Sequence, residues 1–369
     1  VSFDFDASID RRNTGSNKWS KYPPGVLPMW VADMDFAAAP AIVEAITRRL
    51  QHPVFGYCSA SPELRDQIVS DMATKYGWSI RAEDVVFLPG VEPGFNMAIK
   101  ALLEPGQRLA IQTPIYRPIL NTPRQWSLEA IDIRVDRPIA EQQGLLDRAD
   151  AMLLCNPHNP TGKVYDRSDL LALAEATNDR PIISDEIHCE LVYDGRRHIP
   201  IASLHPTIAD RCITLMSAAK TYNIPGLKTA FAIVQNPELR QRFEGSRLGM
   251  VDSVNILGLE ATLAAFRDAT DWRDGVVTYL EGNRNYLASA VSERLPGVTM
   301  QLPEATYLAW LDCSGLGLDN PAEHFLNHAK AAFSAGTDFG TAYGQFIRLN
   351  FGCTRATLIE AVDRMASSL

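Results

Sequence analysis

Ser217-Ala218-Ala219-Lys220-Thr221-Tyr222-Asn223 follows the apolar run Ile213-Thr214-Leu215-Met216, and the placing of that lysine at a strand end organises the reading of the whole chain. A lone lysine after an apolar run is ordinarily a charged loop residue. Three other strand ends change the assignment. Asp185 closes Pro181-Ile182-Ile183-Ser184, the loop Asn156-Pro157-His158-Asn159-Pro160-Thr161-Gly162 closes Ala151 to Cys155, and Arg348 lies within Phe346-Ile347-Arg348-Leu349-Asn350-Phe351. An amine, a carboxylate, an amide and a guanidinium at strand ends describe a site for a pyridine aldehyde that bears a phosphate.

The rest of the chain limits the alternatives. With 369 residues, 46% of them hydrophobic, it can bury one large core or two smaller ones. The formal charge of −9, with no clusters of Lys or Arg, argues against nucleic acid or an anionic membrane as the main partner and leaves a small molecule as the expected ligand. Six scattered cysteines form no CxxC pair, so neither a zinc site nor a disulfide framework is expected. No apolar stretch reaches membrane-spanning length, and the start, Val1-Ser2-Phe3-Asp4-Phe5-Asp6, lacks a signal-peptide pattern. A cytoplasmic protein is expected.

Residues 1–36 read as an extended arm ending in a short apolar strand. Pro40 opens a helix through Leu50, and Ser61-Pro62 caps a second in which Leu64, Ile68, Met72 and Tyr76 recur every fourth position before Gly77 ends it. From Asp84 to Val234 short continuous apolar runs alternate with helix-like segments, the pattern of a mainly parallel sheet buried on both faces. After Pro237 the periodicity predicts one long helix to about Phe266 and another from Trp272 to Leu295, then strands at 307–311 and 346–351 with helices at 322–333 and 355–366. The expected division is a large α/β unit of 37–255 and a smaller α+β unit made of 1–36 and 256–369.

Taken in order, Leu27-Pro28-Met29-Trp30-Val31-Ala32-Asp33-Met34-Asp35-Phe36, the His158 form of the Asn-Pro loop, Asp185-Glu186-Ile187-His188 and the Lys220 stretch resemble the aspartate aminotransferase superfamily of pyridoxal phosphate enzymes. Within it they resemble the branch of MalY/PatB-type cystathionine β-lyases. The resemblance runs nearly end to end. It implies a seven-stranded-type sheet flanked by helices, a smaller α+β domain, and a homodimer with shared active sites.

It also implies roles. Lys220 is the residue that anchors the cofactor and moves the substrate Cα proton; a free lysine, with a pKa of roughly 10.4, is mostly protonated at neutral pH. Asp185 is expected to hold the pyridine nitrogen protonated, its competing assignment being a helix N-cap. Asn159 matches the amide that meets the cofactor's phenolic oxygen, and Tyr116 the aromatic that stacks on the ring. His188 stands where transaminases usually carry tyrosine. For the phosphate, Gly90-Val91-Glu92-Pro93-Gly94 opens a helix behind a strand, Ser217 adds a hydroxyl, and Lys228 stands where many transaminases have arginine. Tyr57 resembles the tyrosine that reaches the neighbouring subunit's phosphate. Arg348 is the expected clamp for the substrate carboxylate, with a structural ion pair as its competing role, and Trp30 and Tyr22 are expected to shape the side-chain pocket.

The implied reaction is β-elimination from L-cystathionine or a related S-substituted L-cysteine, giving a thiol, pyruvate and ammonia. An aminotransferase would use the same groups. A non-enzymatic regulatory protein on this fold would be expected to lose Lys220, Asp185 or Arg348, and all three are present.

Overall fold

Aliphatic runs without polar alternation need cover on both faces, and the chain supplies it by winding helices around them. The computed structural model describes residues 3–369; Val1 and Ser2, the start of the expected arm, lie outside the described residues. Its strands are β1 (Leu27–Pro28), β2 (Val85–Leu88), β3 (Arg108–Thr113), β4 (Glu129–Arg134), β5 (Ala151–Cys155), β6 (Ile182–Asp185), β7 (Cys212–Met216), β8 (Ala230–Ile233), β9 (Thr299–Met300), β10 (Leu308–Asp312), β11 (Ala331–Ala332), β12 (Ser334–Ala335) and β13 (Phe346–Asn350). Helices of eight residues or more are α1 (Pro40–Leu50), α2 (Pro62–Tyr76), α3 (Val91–Leu102), α4 (Arg117–Gln125), α5 (Arg167–Ala176), α6 (Pro237–Gly245), α7 (Ile256–Asp268), α8 (Thr270–Arg294) and α9 (Arg355–Ala366).

Seven strands form the large sheet in the order β2-β8-β7-β6-β5-β3-β4. The five from β7 to β4 are parallel, while β8 runs against β7 on one side and β2 on the other. One face packs on α3 through Phe95, Ala98 and Ile99; the other packs on α2 and α5 through Leu64, Ile68, Leu170 and Leu173. Because β5, β6 and β7 are parallel neighbours, the segments after Cys155, Asp185 and Met216 emerge at one edge of the sheet. That edge carries Asn159, Asp185 and Lys220.

The second sheet is antiparallel, in the order β12-β13-β10-β9. Its central strand β13 pairs Arg348 with Trp310 on β10 and with Ser334 on β12. The N-terminal arm joins this part of the molecule: β1 pairs in parallel with β11, and the Asn350 side chain donates to the carbonyls of Val31 and Asp33 at 2.6 and 2.7 Å. Within the arm a fully buried Lys18 pairs with Asp35 at 2.7 Å. Among the described residues no helix is long and apolar enough to cross a membrane.

Three local expectations need correction. The strand β4 was not foreseen, because it is an edge strand that buries Ile131 and Ile133 while Glu129 and Asp132 face out, so it has no continuous apolar run. The long helix after Pro237 is two, α6 and α7, separated by a loop with Leu248 and Gly249 at positive φ and restarted by the Asn255 side chain, which accepts from Gly258 N–H at 2.7 Å. The helix expected over 322–333 ends at Lys330, whose φ of 52° breaks it, and β11 follows at once.

Candidate active site

The parallel strand ends and β13 face each other across a cavity of about 1280 Å³. Lys220, Asp185, Asn159, Arg348, His188, Tyr116, Gly90, Val91, Glu92, Ser217, Lys228, Trp30 and Tyr22 all line it. Tyr57 does not; it is fully exposed on the loop between α1 and α2.

Lys220 sits in a turn after β7, and its Nζ donates to the Ala32 carbonyl at 2.6 Å. The same carbonyl accepts from the Tyr307 hydroxyl at 2.9 Å. Burial, reinforced by the positive Arg348, lowers the amine's pKa from its ordinary value to about 8. At neutral pH roughly a tenth of such an amine is neutral, about two hundredfold more than for a lysine in water.

Asp185 ends β6 with one carboxylate oxygen accepting the Ile187 N–H at 3.1 Å. It therefore does cap the turn that follows, yet no described group hydrogen-bonds its other oxygen. Burial pushes its pKa up to about 7, with Lys220 opposing the rise. A cationic N–H partner in the cavity would stabilise the ionised form: opposite charges about 4 Å apart attract by roughly 4 kcal/mol at an effective dielectric near 20, before desolvation.

Arg348 is buried and has no ion-pair partner among the described residues, which removes the structural ion pair as its explanation. Its Nη1 donates to Asn159 Oδ1 at 2.9 Å and its Nη2 to the Trp30 carbonyl at 3.0 Å, while Nε has no hydrogen-bond partner. Desolvation lowers its pKa to about 10, so it stays a cation at neutral pH. A buried guanidinium with an unused N–H is costly, and a carboxylate ligand would meet that cost. Phe339 supports it from one side, its ring centroid 4.8 Å from the guanidinium carbon.

Asn159 spends its carbonyl oxygen on Arg348 and keeps its amide N–H₂ for a ligand. His188 is buried against Tyr307, ring centroids 6.2 Å apart, with Nδ1 unpartnered, and burial holds it neutral. His158, in the same loop as Asn159, is bonded through Nδ1 to Thr161 Oγ1 at 2.8 Å. The phosphate-type features meet at the start of α3: Gly90 is the N-cap, and the first-turn N–H groups have no partner within the helix. Ser217 also lines this wall, its hydroxyl donating to the Thr229 carbonyl at 2.6 Å and accepting from Ala219 N–H at 3.0 Å.

Sequence reasoning missed Tyr307, the Ala32 carbonyl, Phe339, Ser334 and Lys21. Ala32 lies inside the quoted N-terminal motif, but a backbone carbonyl leaves no mark on side-chain identity. Tyr307 immediately precedes β10 and Ser334 lies in β12 of the second sheet, and neither had a local signal. The residues fit pyridoxal phosphate: a depressed lysine, an unpaired carboxylate oxygen, a helix N-terminus and an unsatisfied guanidinium line one cavity.

Comparisons with known proteins agree with that fit. The family model for aminotransferase class I and II matches residues 25–365. Cystathionine beta-lyase PatB of Bacillus subtilis is 36% identical, with 99% of each chain covered. Among solved structures, OvoB superposes with a TM-score of 0.95 at 42% identity over 100% of this chain and 99% of that one. The pyridoxal phosphate-bound C-S lyase of Staphylococcus hominis gives 0.94 at 29%, covering 100% and 98%.

Proposed function

The chain belongs to the aminotransferase class I and II family, and we propose that within it the chain is a pyridoxal phosphate-dependent carbon–sulfur β-lyase acting on L-cystathionine or related S-substituted L-cysteines. The observation that carries this is the convergence of Lys220, Asp185 and Arg348 in one cavity of a chain similar over its full length to a cystathionine β-lyase. The cofactor supplies an electron sink for the pair left on Cα when its proton is removed. The chain's residues do the rest.

Arg348 binds the α-carboxylate, using the donor capacity left by Asn159 and Trp30. Lys220, the residue that would hold the cofactor, takes the Cα proton. Its lowered pKa keeps a usable share of the amine neutral at the pH where it must act as a base. When the cofactor is bound, Asp185 would hold a proton on its pyridine nitrogen, Asn159 would meet the phenolic oxygen, Tyr116 would stack on the ring, and Gly90, Val91, Glu92 and Lys228 would hold the phosphate. Glu92 contributes its backbone N–H, its side chain being an acidic residue in the first turn. His188, neutral and unpartnered, faces the ligand beside Tyr307. With Cα–H and Cβ–S broken, the thiolate departs, and the remaining fragment hydrolyses to pyruvate and ammonia.

The enzyme is taken to be a cytoplasmic homodimer. Support for the dimer comes from the exposed Val54, Phe55 and Tyr57 on one loop, a patch suited to burial against a second copy, with Tyr57 reaching the partner's phosphate group. Six free cysteines, five of them buried, support a reducing compartment. The division into a large unit of 37–255 and a smaller one of 1–36 with 256–369 is supported by the sheets, the seven-stranded one falling wholly in the first unit and the four-stranded and two-stranded ones wholly in the second.

The test is pyruvate and thiol release from L-cystathionine by the cofactor-loaded protein, with a parallel assay of amino transfer to a 2-oxo acid. Equal amounts of pyruvate and thiol are expected; amino transfer without either product overturns the proposal.

A further inference from the structure

Five cationic side chains line the cavity: Lys21, Arg117, Lys220, Lys228 and Arg348. Arg117 is paired with Asp338 at 3.0 Å. Lys220 is held by the Ala32 carbonyl and Arg348 by Asn159 and Trp30. Lys228 follows the Pro225–Leu227 turn, on the wall that also carries Ser217 and Thr229, where the proposed phosphate site lies. Lys21 is left over, with no ion pair among the described residues.

Its position is nevertheless specific. The Lys21 Nζ lies 4.0 Å from the Trp30 ring centroid and 5.2 Å from that of Tyr22. Those two rings meet edge to face, 6.3 Å apart at 87°. Trp30 is itself fixed at both ends: its ring N–H donates to the Lys18 carbonyl at 3.2 Å, and its own carbonyl accepts from Arg348 at 3.0 Å and from Ser334 Oγ at 2.9 Å. One residue thus carries Arg348 on its backbone and Lys21 on its ring face. The spacing between the buried cation and the exposed one is set by the geometry of Trp30.

A cation laid on two aromatic faces at a cavity wall is held in place while its outer N–H donors stay free for an anion. Arg348 is buried and suits the substrate's α-carboxylate. A second carboxylate, at the far end of the same substrate, has Lys21 as the remaining unpaired cation.

We infer that Lys21 is a specificity-determining residue that binds a carboxylate on the sulfur substituent, so that the preferred substrates are S-substituted L-cysteines whose leaving thiol carries an anionic end. This rests on the lyase reading of the same site. It takes Trp30 and Tyr22 beyond shaping the pocket and makes them the platform for the reading cation.

The experiment compares two substrates that differ by one carboxylate, S-(3-carboxypropyl)-L-cysteine and S-butyl-L-cysteine, on cofactor-loaded wild type, Lys21→Met and Lys21→Arg. Lys21 is exposed, so neither substitution should disturb folding. For the carboxylate substrate, Lys21→Met should raise KM about tenfold with kcat little changed; for the butyl substrate nothing should move. Lys21→Arg should remain within about twofold of wild type. Added salt should weaken the wild-type preference and leave that of Lys21→Met flat.

A second measurement does not depend on cleavage. Dissociation constants of L-2-aminosuberate and L-2-aminooctanoate, in which CH₂ replaces sulfur, should separate in the same way. An equal rise in KM for both substrates, or no rise for either, overturns the inference. If wild type cleaves neither thioether, the lyase reading fails, and the two dissociation constants still decide whether Lys21 selects a carboxylate.

Discussion

Lys220 and Tyr307 share one acceptor: the Ala32 carbonyl takes a hydrogen bond from the lysine amine at 2.6 Å and from the tyrosine hydroxyl at 2.9 Å. The amine that follows β7 of the large sheet and the hydroxyl that precedes β10 of the second are thereby set against the N-terminal arm, which lines the cavity with Tyr22, Trp30 and Ala32. Replacing Tyr307 with Phe removes one buried hydrogen bond and should lower stability by about 1 kcal/mol. Covalent attachment of the cofactor should survive. Denaturant midpoints and mass spectrometry after borohydride reduction check both halves. By contrast, Lys220→Ala should abolish attachment and cut turnover by at least about a hundredfold.

The lysine's pKa of about 8 gives a pH signature. Capture of added pyridoxal phosphate by cofactor-free protein requires the neutral amine, so its rate should rise with pH around a midpoint near 8 instead of the roughly 10.4 of free lysine. Arg348 is among the causes that depress this value, so Arg348→Leu should move the midpoint upward. Stopped-flow absorbance over a pH series measures both.

Asp185 should make the cofactor-free protein less stable as pH rises through the acid range. Its folded pKa is raised by burial to about 7 from the ordinary carboxylate value of 3.8, so between those values the folded state holds the proton that the unfolded state has released. Stability then falls as pH increases across this window, by up to about 4 kcal/mol, and the slope ends above the folded pKa. Urea midpoints of Asp185→Asn, which cannot ionise, should lack this component, and the variant should lose activity because a neutral amide cannot hold the pyridine cation.

For Arg348, lysine is not a conservative replacement. The guanidinium reaches Asn159 and the Trp30 carbonyl with separate nitrogens, and a single ammonium cannot span both and still meet a carboxylate. Arg348→Lys should raise KM by at least about tenfold, in keeping with a charge-assisted bond worth roughly 1.5–3 kcal/mol. Steady-state kinetics with L-cystathionine reads it.

Gly162 closes the Asn159 loop at φ +71°, and a Cβ there would collide with Pro303. Gly162→Ala combines a disfavoured backbone with that clash and should cost about 2 kcal/mol or more while displacing Asn159 from Arg348. A lower melting temperature together with a raised KM is the expected pair of results.

Much of this molecule was legible in its sequence. Periodicity located α1, α2, α8 and α9 within a residue or two, because caps such as Ser61 and Gly77 are local and their physics is complete within one turn. Continuous apolar runs located the buried strands for a similar reason. The edge strand β4 escaped because exposure on one side erases that pattern, and the helix expected over 322–333 was overridden by the left-handed Lys330 and the pairing of β11 with β1.

At the site, the sequence alone identified the groups with chemistry of their own: an amine, a carboxylate, an amide and a guanidinium, each at the end or in the middle of an apolar strand. Only the tertiary structure could decide how they stand to one another. That Arg348 has no ion-pair partner, that Ser217 gives its proton to Thr229, and that Lys220 rests on Ala32 are facts about contacts between segments far apart in the chain. The same holds for Lys21, an ordinary exposed lysine until Trp30 is seen to join it to Arg348. Local sequence fixes what a residue is able to do, because propensity and ionisation are properties of the residue and its neighbours. Which partner it meets, and how far burial shifts its charge, depends on long-range packing that no stretch of sequence contains.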